Sequence, residues 1–164
     1  MSGYYNTALV CLNGHVINCY ADTQQERNAP FCHRCGQPTI CECPGCKARI
    51  RGEHHTPGVV VFSTHPFSAA GYCYACGAPY PWTEAKLQAA REMIDEVEEL
   101  TSEQRETFKR DLGDIAVNTP RTELAASRIK TRLAALPGVI GNGLRVLVVD
   151  IASETAKKLL APGP

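Results

Sequence analysis

Cys32-His33-Arg34-Cys35-Gly36-Gln37-Pro38-Thr39-Ile40-Cys41-Glu42-Cys43-Pro44-Gly45-Cys46 decides the fold. It holds two Cys-x-x-Cys turns within fifteen residues. That spacing lets one tight turn offer two thiolates to a single metal ion. A third such turn is Cys73-Tyr74-Ala75-Cys76, and a fourth pair, Cys11 with His15, has Cys-x-x-x-His spacing. Gly36 and Gly77 follow two of the turns directly. A residue free to take positive φ lets the chain curl back, so that backbone N–H groups can point at the sulfurs.

The candidate ligands are therefore Cys11, His15, Cys32, Cys35, Cys43, Cys46, Cys73 and Cys76. Eight ligands in four pairs imply two structural Zn²⁺ ions per chain, each fully coordinated by protein. Sequential pairing would join the first pair to the second and the third to the fourth, as in zinc ribbons or treble-clef-like fingers. Interleaved pairing would give the cross-brace of a RING-like domain. Sequential pairing is preferred, because a RING opens with Cys-x-x-Cys and carries its histidine mid-series, whereas here His15 is the second ligand. Cys41 competes with Cys43 as a ligand, although the Cys43-Pro44-Gly45-Cys46 turn is the better knuckle. Cys19 reads as a buried thiol. His54, His55 and His65 suggest either a third, open metal site or a polar hairpin tip, the second being the simpler reading.

All nine cysteines and all five histidines lie before residue 83, which divides the chain into a finger domain, 1–82, and a helical domain, 83–164. The fold class expected is α+β, with short β-hairpins in the first part and helices in the second. Strand-sized apolar pieces are Thr7–Val10, Ala48–Ile50, Val59–Phe62 and Tyr72–Tyr74. They are too few to offset chain entropy, so metal must supply the difference. In the second part, Thr83 reads as an N-cap with Trp82 and Leu87 as a hydrophobic staple, in a helix reaching about Leu100. Thr101 with Gln104 makes a capping box, and Thr119-Pro120 reads as an N-cap followed by proline at the first helical position. The last segment, 143–160, carries conflicting signals. Val146, Val148 and Val149 favour a strand over 144–149, but a lone strand among helices would leave its backbone unpaired, so one helix is expected.

Lys plus Arg and Asp plus Glu each number 17, giving formal neutrality. Seven thiolates on two divalent ions shift the total to about −3, which weighs against nucleic acid. The odd cysteine count, the repeated Cys-x-x-Cys turns and an opening Met1-Ser2-Gly3-Tyr4-Tyr5 without a leader pattern predict reduced thiols in a soluble cytoplasmic protein. Fully ligated metal performs no hydrolysis, and no phosphate loop, His-Glu-x-x-His or Gly-x-Ser-x-Gly motif is present. The reading is thus a non-enzymatic zinc protein acting as an interaction or adaptor module. A protein partner, or a second copy, would bind the helical half, with the segment after Gly138, Gly141 and Gly143 as the contact. The alternative is nucleic-acid binding, with Lys47, Arg49 and Arg51 alternating on one strand face and Arg121, Arg128 and Arg132 clustered on a helix.

The Cys11–Asn18 run, the Phe31–Gly36 and Cys43–Cys46 knuckles, Ile50-Arg51-Gly52, Tyr72–Gly77 through Pro81-Trp82-Thr83-Glu84, Thr119–Thr122 and Ser153–Leu159 together resemble an uncharacterised bacterial family, a domain of unknown function with tandem zinc fingers. The resemblance spans nearly the whole chain. It implies paired fingers and brings no activity with it.

Overall fold

A computed structural model of the protein describes residues 3–59, 66–136 and 138–161. The chain divides into two compact units, 1–84 and 85–164. Among the described residues the first holds five short strands: β1 (Tyr4–Thr7), β2 (Leu9–Cys11), β3 (Val16–Asn18), β4 (Thr39–Ile40) and β5 (Arg51–His55). The second is helical: α1 (Pro81–Asp95, its first turn in the first unit), α2 (Ser102–Ala116), α3 (Thr122–Ala135), α4 (Gly138–Ile151) and α5 (Glu154–Leu160). The α+β class is as the sequence implied. Among the described residues no helix is long and apolar enough to cross a membrane.

Strands β3, β2 and β4 form an antiparallel sheet in that order. Cys11 stands opposite Thr39 in the β2–β4 ladder, which carries the second knuckle to the first. A separate ribbon pairs β1 with β5, matching Tyr4 to His55 and Tyr5 to His54, with a bulge before the Thr7–Arg51 pair. The amide of Ala8 donates to the Ile50 carbonyl at 2.8 Å and joins the chain between β1 and β2 to the approach to β5. Of the pieces expected as strands, Ala48–Ile50 and Tyr72–Tyr74 supply only isolated bridges, Glu42–Arg49 and Tyr72–Pro79. Residues 60–62 of the Val59–Phe62 piece lie outside the described residues.

Each unit has its own core. In the finger unit Ala8, Val10, Cys43, Ile50, Cys73, Tyr80 and Trp82 cluster, with the Tyr80 and Trp82 rings stacked at 4.7 Å. The helical core is larger and includes Leu87, Ile94, Phe108, Leu112, Ile115, Ile129, Leu133, Leu144, Val148 and Ile151.

Helix boundaries follow the hydrogen bonds that each terminus finds. Helix α1 begins at Pro81, two residues before the expected cap. Thr83 lies inside the helix and its hydroxyl donates to the Gly71 carbonyl at 2.7 Å. Trp82 and Leu87 belong to different cores rather than to one staple, and α1 stops at Asp95, short of Leu100. The Thr101–Gln104 capping box forms in full. Helix α3 starts at Thr122, not at Pro120, because the Thr122 hydroxyl accepts from the Thr119 amide and donates to the Asp114 carbonyl. The single helix expected over 143–160 is two helices, broken where the Ser153 side chain caps the Ala156 amide. Residues 144–149 are helical. Leu144, Val148, Ile151, Ala152 and Ala156 are buried in the core, so the glycines before them do not detach this segment from the bundle.

Candidate metal centres

The three Cys-x-x-Cys turns are copies of one backbone device. In each, the residue after the second cysteine has positive φ: 71° at Gly36, 63° at Lys47 and 73° at Gly77. Its amide donates to the carbonyl of the first cysteine at 2.8, 2.9 and 2.8 Å. The first cysteine's amide in turn closes the turn by donating to the Gln37, Ala48 and Ala78 carbonyls. Among the described residues Lys47 is the one L-residue holding a conformation that glycine takes freely, at a cost of about 1–2 kcal/mol. The Cys11–His15 turn closes differently, with Gly14 at φ 85° and its amide on the Cys11 carbonyl.

These turns aim the sulfurs inward in two groups. The ligand atoms of Cys11, His15, Cys32 and Cys35 lie within 4.8 Å of one another, as do those of Cys43, Cys46, Cys73 and Cys76. The grouping is sequential, so the interleaved cross-brace of a RING is not the arrangement formed. Cys41 is exposed and outside both groups, and Cys19 is partly buried and also outside them. His33 is exposed on its own knuckle. His54 and His55 lie on β5 against the rings of Tyr5 and Tyr4, at centroid distances of 4.8 and 5.0 Å. His65 lies outside the described residues. All nine cysteines are free of disulfides.

Distances within each group test the fit of an ion. A tetrahedral ion with metal–sulfur bonds of about 2.3 Å holds its sulfurs about 3.8 Å apart, and sulfur from imidazole nitrogen about 3.5–3.6 Å apart. The observed edges are 3.8 Å for Cys11–Cys35, 3.8 Å for Cys43–Cys76 and 3.6 Å for Cys46–Cys73. His15 Nδ1 stands 3.5 Å from both Cys11 and Cys32 Sγ. Each group therefore could hold one metal ion with four protein donors, three sulfurs and a nitrogen in one and four sulfurs in the other.

Electrostatics point the same way. Burial disfavours the Cys32 thiolate, but the N–H groups of Arg34 and Cys35, with Cys35 and His15 side chains, bring the thiol down to about 6. The N–H of Ala75, then that of Cys76, holds Cys73 at about 6 as well. Cys46 goes the other way. Its bond from the Ala48 N–H favours the thiolate, yet Cys76, burial, Cys73 and Cys43 together push it up to about 12. Four sulfurs this close cannot all ionise against one another, and a divalent cation among them removes that repulsion.

Sequence reading missed the wall behind the second group. Tyr80 is buried and its phenol is raised by that burial and by its side-chain bond to Cys73. Trp82 donates its indole N–H to the Ala70 carbonyl at 3.0 Å, and a Cβ at Gly14 would meet its side chain at 3.0 Å. A buried aromatic pair seven and six residues beyond Cys73 and Cys76 was the available signal.

Two four-donor groups on knuckle turns, followed by helices, define a protein of tandem zinc-finger-like sites joined to a helical unit. The chain belongs to the family described as "Uncharacterized protein conserved in bacteria (DUF2321)", which matches residues 4–160. No curated protein and no solved structure matches it.

Proposed function

We propose that the chain is a non-enzymatic zinc protein: two saturated Zn²⁺ sites hold the finger unit in shape, and the helical unit offers a protein-binding surface. The observation that carries the reading is the completeness of both donor groups. Each has four protein ligand atoms within 4.8 Å of one another, with several edges at tetrahedral length, a set that fills the positions a catalytic zinc would keep for water or substrate. Thiolate-rich sites select zinc over the harder divalent ions. Interaction is assigned to the helical unit because its most apolar helix, α4, leaves Val139, Val146 and Val149 exposed. Metal analysis of the purified chain tests the first half and is expected to give two zinc per chain. For the second half, Val146→Asp should abolish partner capture while zinc content is unchanged. Deleting residues from 143 onward is not a fair test, since it removes Leu144, Val148 and Ile151 from the core.

A second reading, nucleic-acid binding, is favoured by one observation. Arg51 lies against two tyrosine rings, its Cζ 4.6 Å from the Tyr5 centroid and 3.8 Å from the Tyr74 centroid, and His54 meets Tyr5 edge-on. Stacked aromatic and guanidinium planes suit unpaired bases. The charges are less favourable than the sequence suggested. Arg49 pairs with Asp22, Arg121 with Asp114, and Arg128 and Arg132 with the buried Asp111. Affinity for a single-stranded oligonucleotide that falls steeply with salt and is lost in Tyr74→Ala would support this reading; no binding at low salt would end it.

A further inference from the structure

We infer that the outer face of α4 is a self-association surface and that its partner is a second copy of this chain, paired about a two-fold axis running along α4. The inference rests on the interaction half of the proposed function and names the partner.

Helix α4 turns Leu144, Val148 and Ile151 to the core. Its opposite face carries Val139, Val146 and Val149, which are 91%, 68% and 40% exposed. Their spacing of seven and three residues keeps them on one side of a helix. Single exposed valines are ordinary, but here three share one helical stripe, with the exposed Asn142 between Val139 and Val146, and an apolar stripe with a single polar interruption is of the kind that marks a contact site.

The strip's two margins carry opposite charge. On the α1 side, a cleft beside Ile140 is lined by Glu92 and Glu96 with Ala89 and Met93. On the α3–α5 side, the bordering cleft is lined by Lys130 and Arg145 with Leu133, Val148 and other aliphatic groups. Lys130 is held by the Leu159 and Ala161 carbonyls, whereas Arg145 has no ion pair with another described residue.

The register of α1 against α4 decides the symmetry. Lys86 Nζ meets Asp150 at 2.8 Å, and Met93 packs where a Cβ on Gly143 would stand 3.0 Å from its methyl group. The two helices therefore run antiparallel, and Glu92 stands level with Leu144 and Arg145. A two-fold axis along α4 conserves level while exchanging margins. It lays the two α4 helices side by side in parallel, valine on valine, and brings Glu92 of each copy to Arg145 of the other. A two-fold axis across α4 would instead oppose acid with acid and base with base. The isologous contact that satisfies both margins is the parallel one.

Sedimentation velocity of the full chain, over a concentration series reaching about 0.2 mM, tests this. The expected species is a dimer of the 17.8 kDa chain. Val146→Asp and, separately, Arg145→Glu or Glu92→Arg should each weaken dimerisation by about tenfold or more, and the double variant Arg145→Glu with Glu92→Arg should recover it to within about threefold. All three positions are exposed, and thermal melting by circular dichroism checks that each variant keeps its fold. A wild-type monomer throughout the series, a dimer indifferent to the single changes, or a double variant no tighter than its parents would overturn the proposal. Zinc measured in the same samples separates the two failures: a monomer with two zinc overturns only this inference, and a sample without zinc overturns the function proposed above.

Discussion

The finger unit and the helical unit are almost equal in length and are held together by different means. Among the described residues the apolar core cluster of the helical unit has sixteen buried members, beside which Asp111 and Thr122 are also buried. The finger core has seven, and two of these, Cys43 and Cys73, are themselves candidate ligands. Fixing a residue's backbone costs about 1–2 kcal/mol, and the seven-member cluster cannot meet that for 84 residues. Four knuckle turns, aiming their donors two by two at two separate points, take the place of the missing apolar area. The lesson is that stability in one unit should depend on metal and in the other on packing volume.

Removing the metal gives the largest test of that contrast. Strong chelation should unfold the finger unit, since a structural zinc supplies on the order of 10–16 kcal/mol in small peptides, and should leave the helical circular dichroism signal in place. Loss of both signals together would break the comparison. Next in size, Cys46→Ser should cost one of the two ions, while Cys41→Ser leaves the zinc content at that of the parent, measured by inductively coupled plasma spectrometry. In the helical unit, Phe108→Ala should destabilise by about 3–5 kcal/mol through cavity formation, read from denaturant melts at unchanged zinc content. The smallest effects sit at the knuckle corners. Gly77→Ala meets no atom within 4 Å but must hold a φ of 73°, so it should lower stability by about 1 kcal/mol. Lys47→Gly, at the matching position of the third turn, should raise stability by a smaller amount, because glycine loses more chain entropy. Equal and same-signed effects at the two positions would contradict the shared geometry of the knuckles.

What the sequence made legible was local. Ligand pairs three or four residues apart carry their geometry in their spacing, and the Thr101–Gln104 box is a three-residue signal that forms as written. What it hid was decided at a distance. Thr83 has the chemistry of an N-cap, but the Gly71 carbonyl takes its hydroxyl and the helix starts earlier, at Pro81. Thr119 and Pro120 form a good start by themselves, yet Thr122 is anchored to the Asp114 carbonyl and the helix begins there. The β1–β5 ribbon pairs Tyr4 with His55, 51 positions away, and a polar Gly-Glu-His-His run gives no alternation to predict it. The valines of 144–149 read as strand because β-branched residues favour strands. Leu144 and Val148, four apart, are instead the core stripe of α4.

X-ray absorption at the zinc edge, on protein purified without added metal, tests the account most directly. The expected result is two zinc ions per chain whose inner shells together contain seven sulfurs at about 2.3 Å and one imidazole nitrogen, with no oxygen. A chain that carries no transition metal, or an oxygen ligand in either shell, would contradict it.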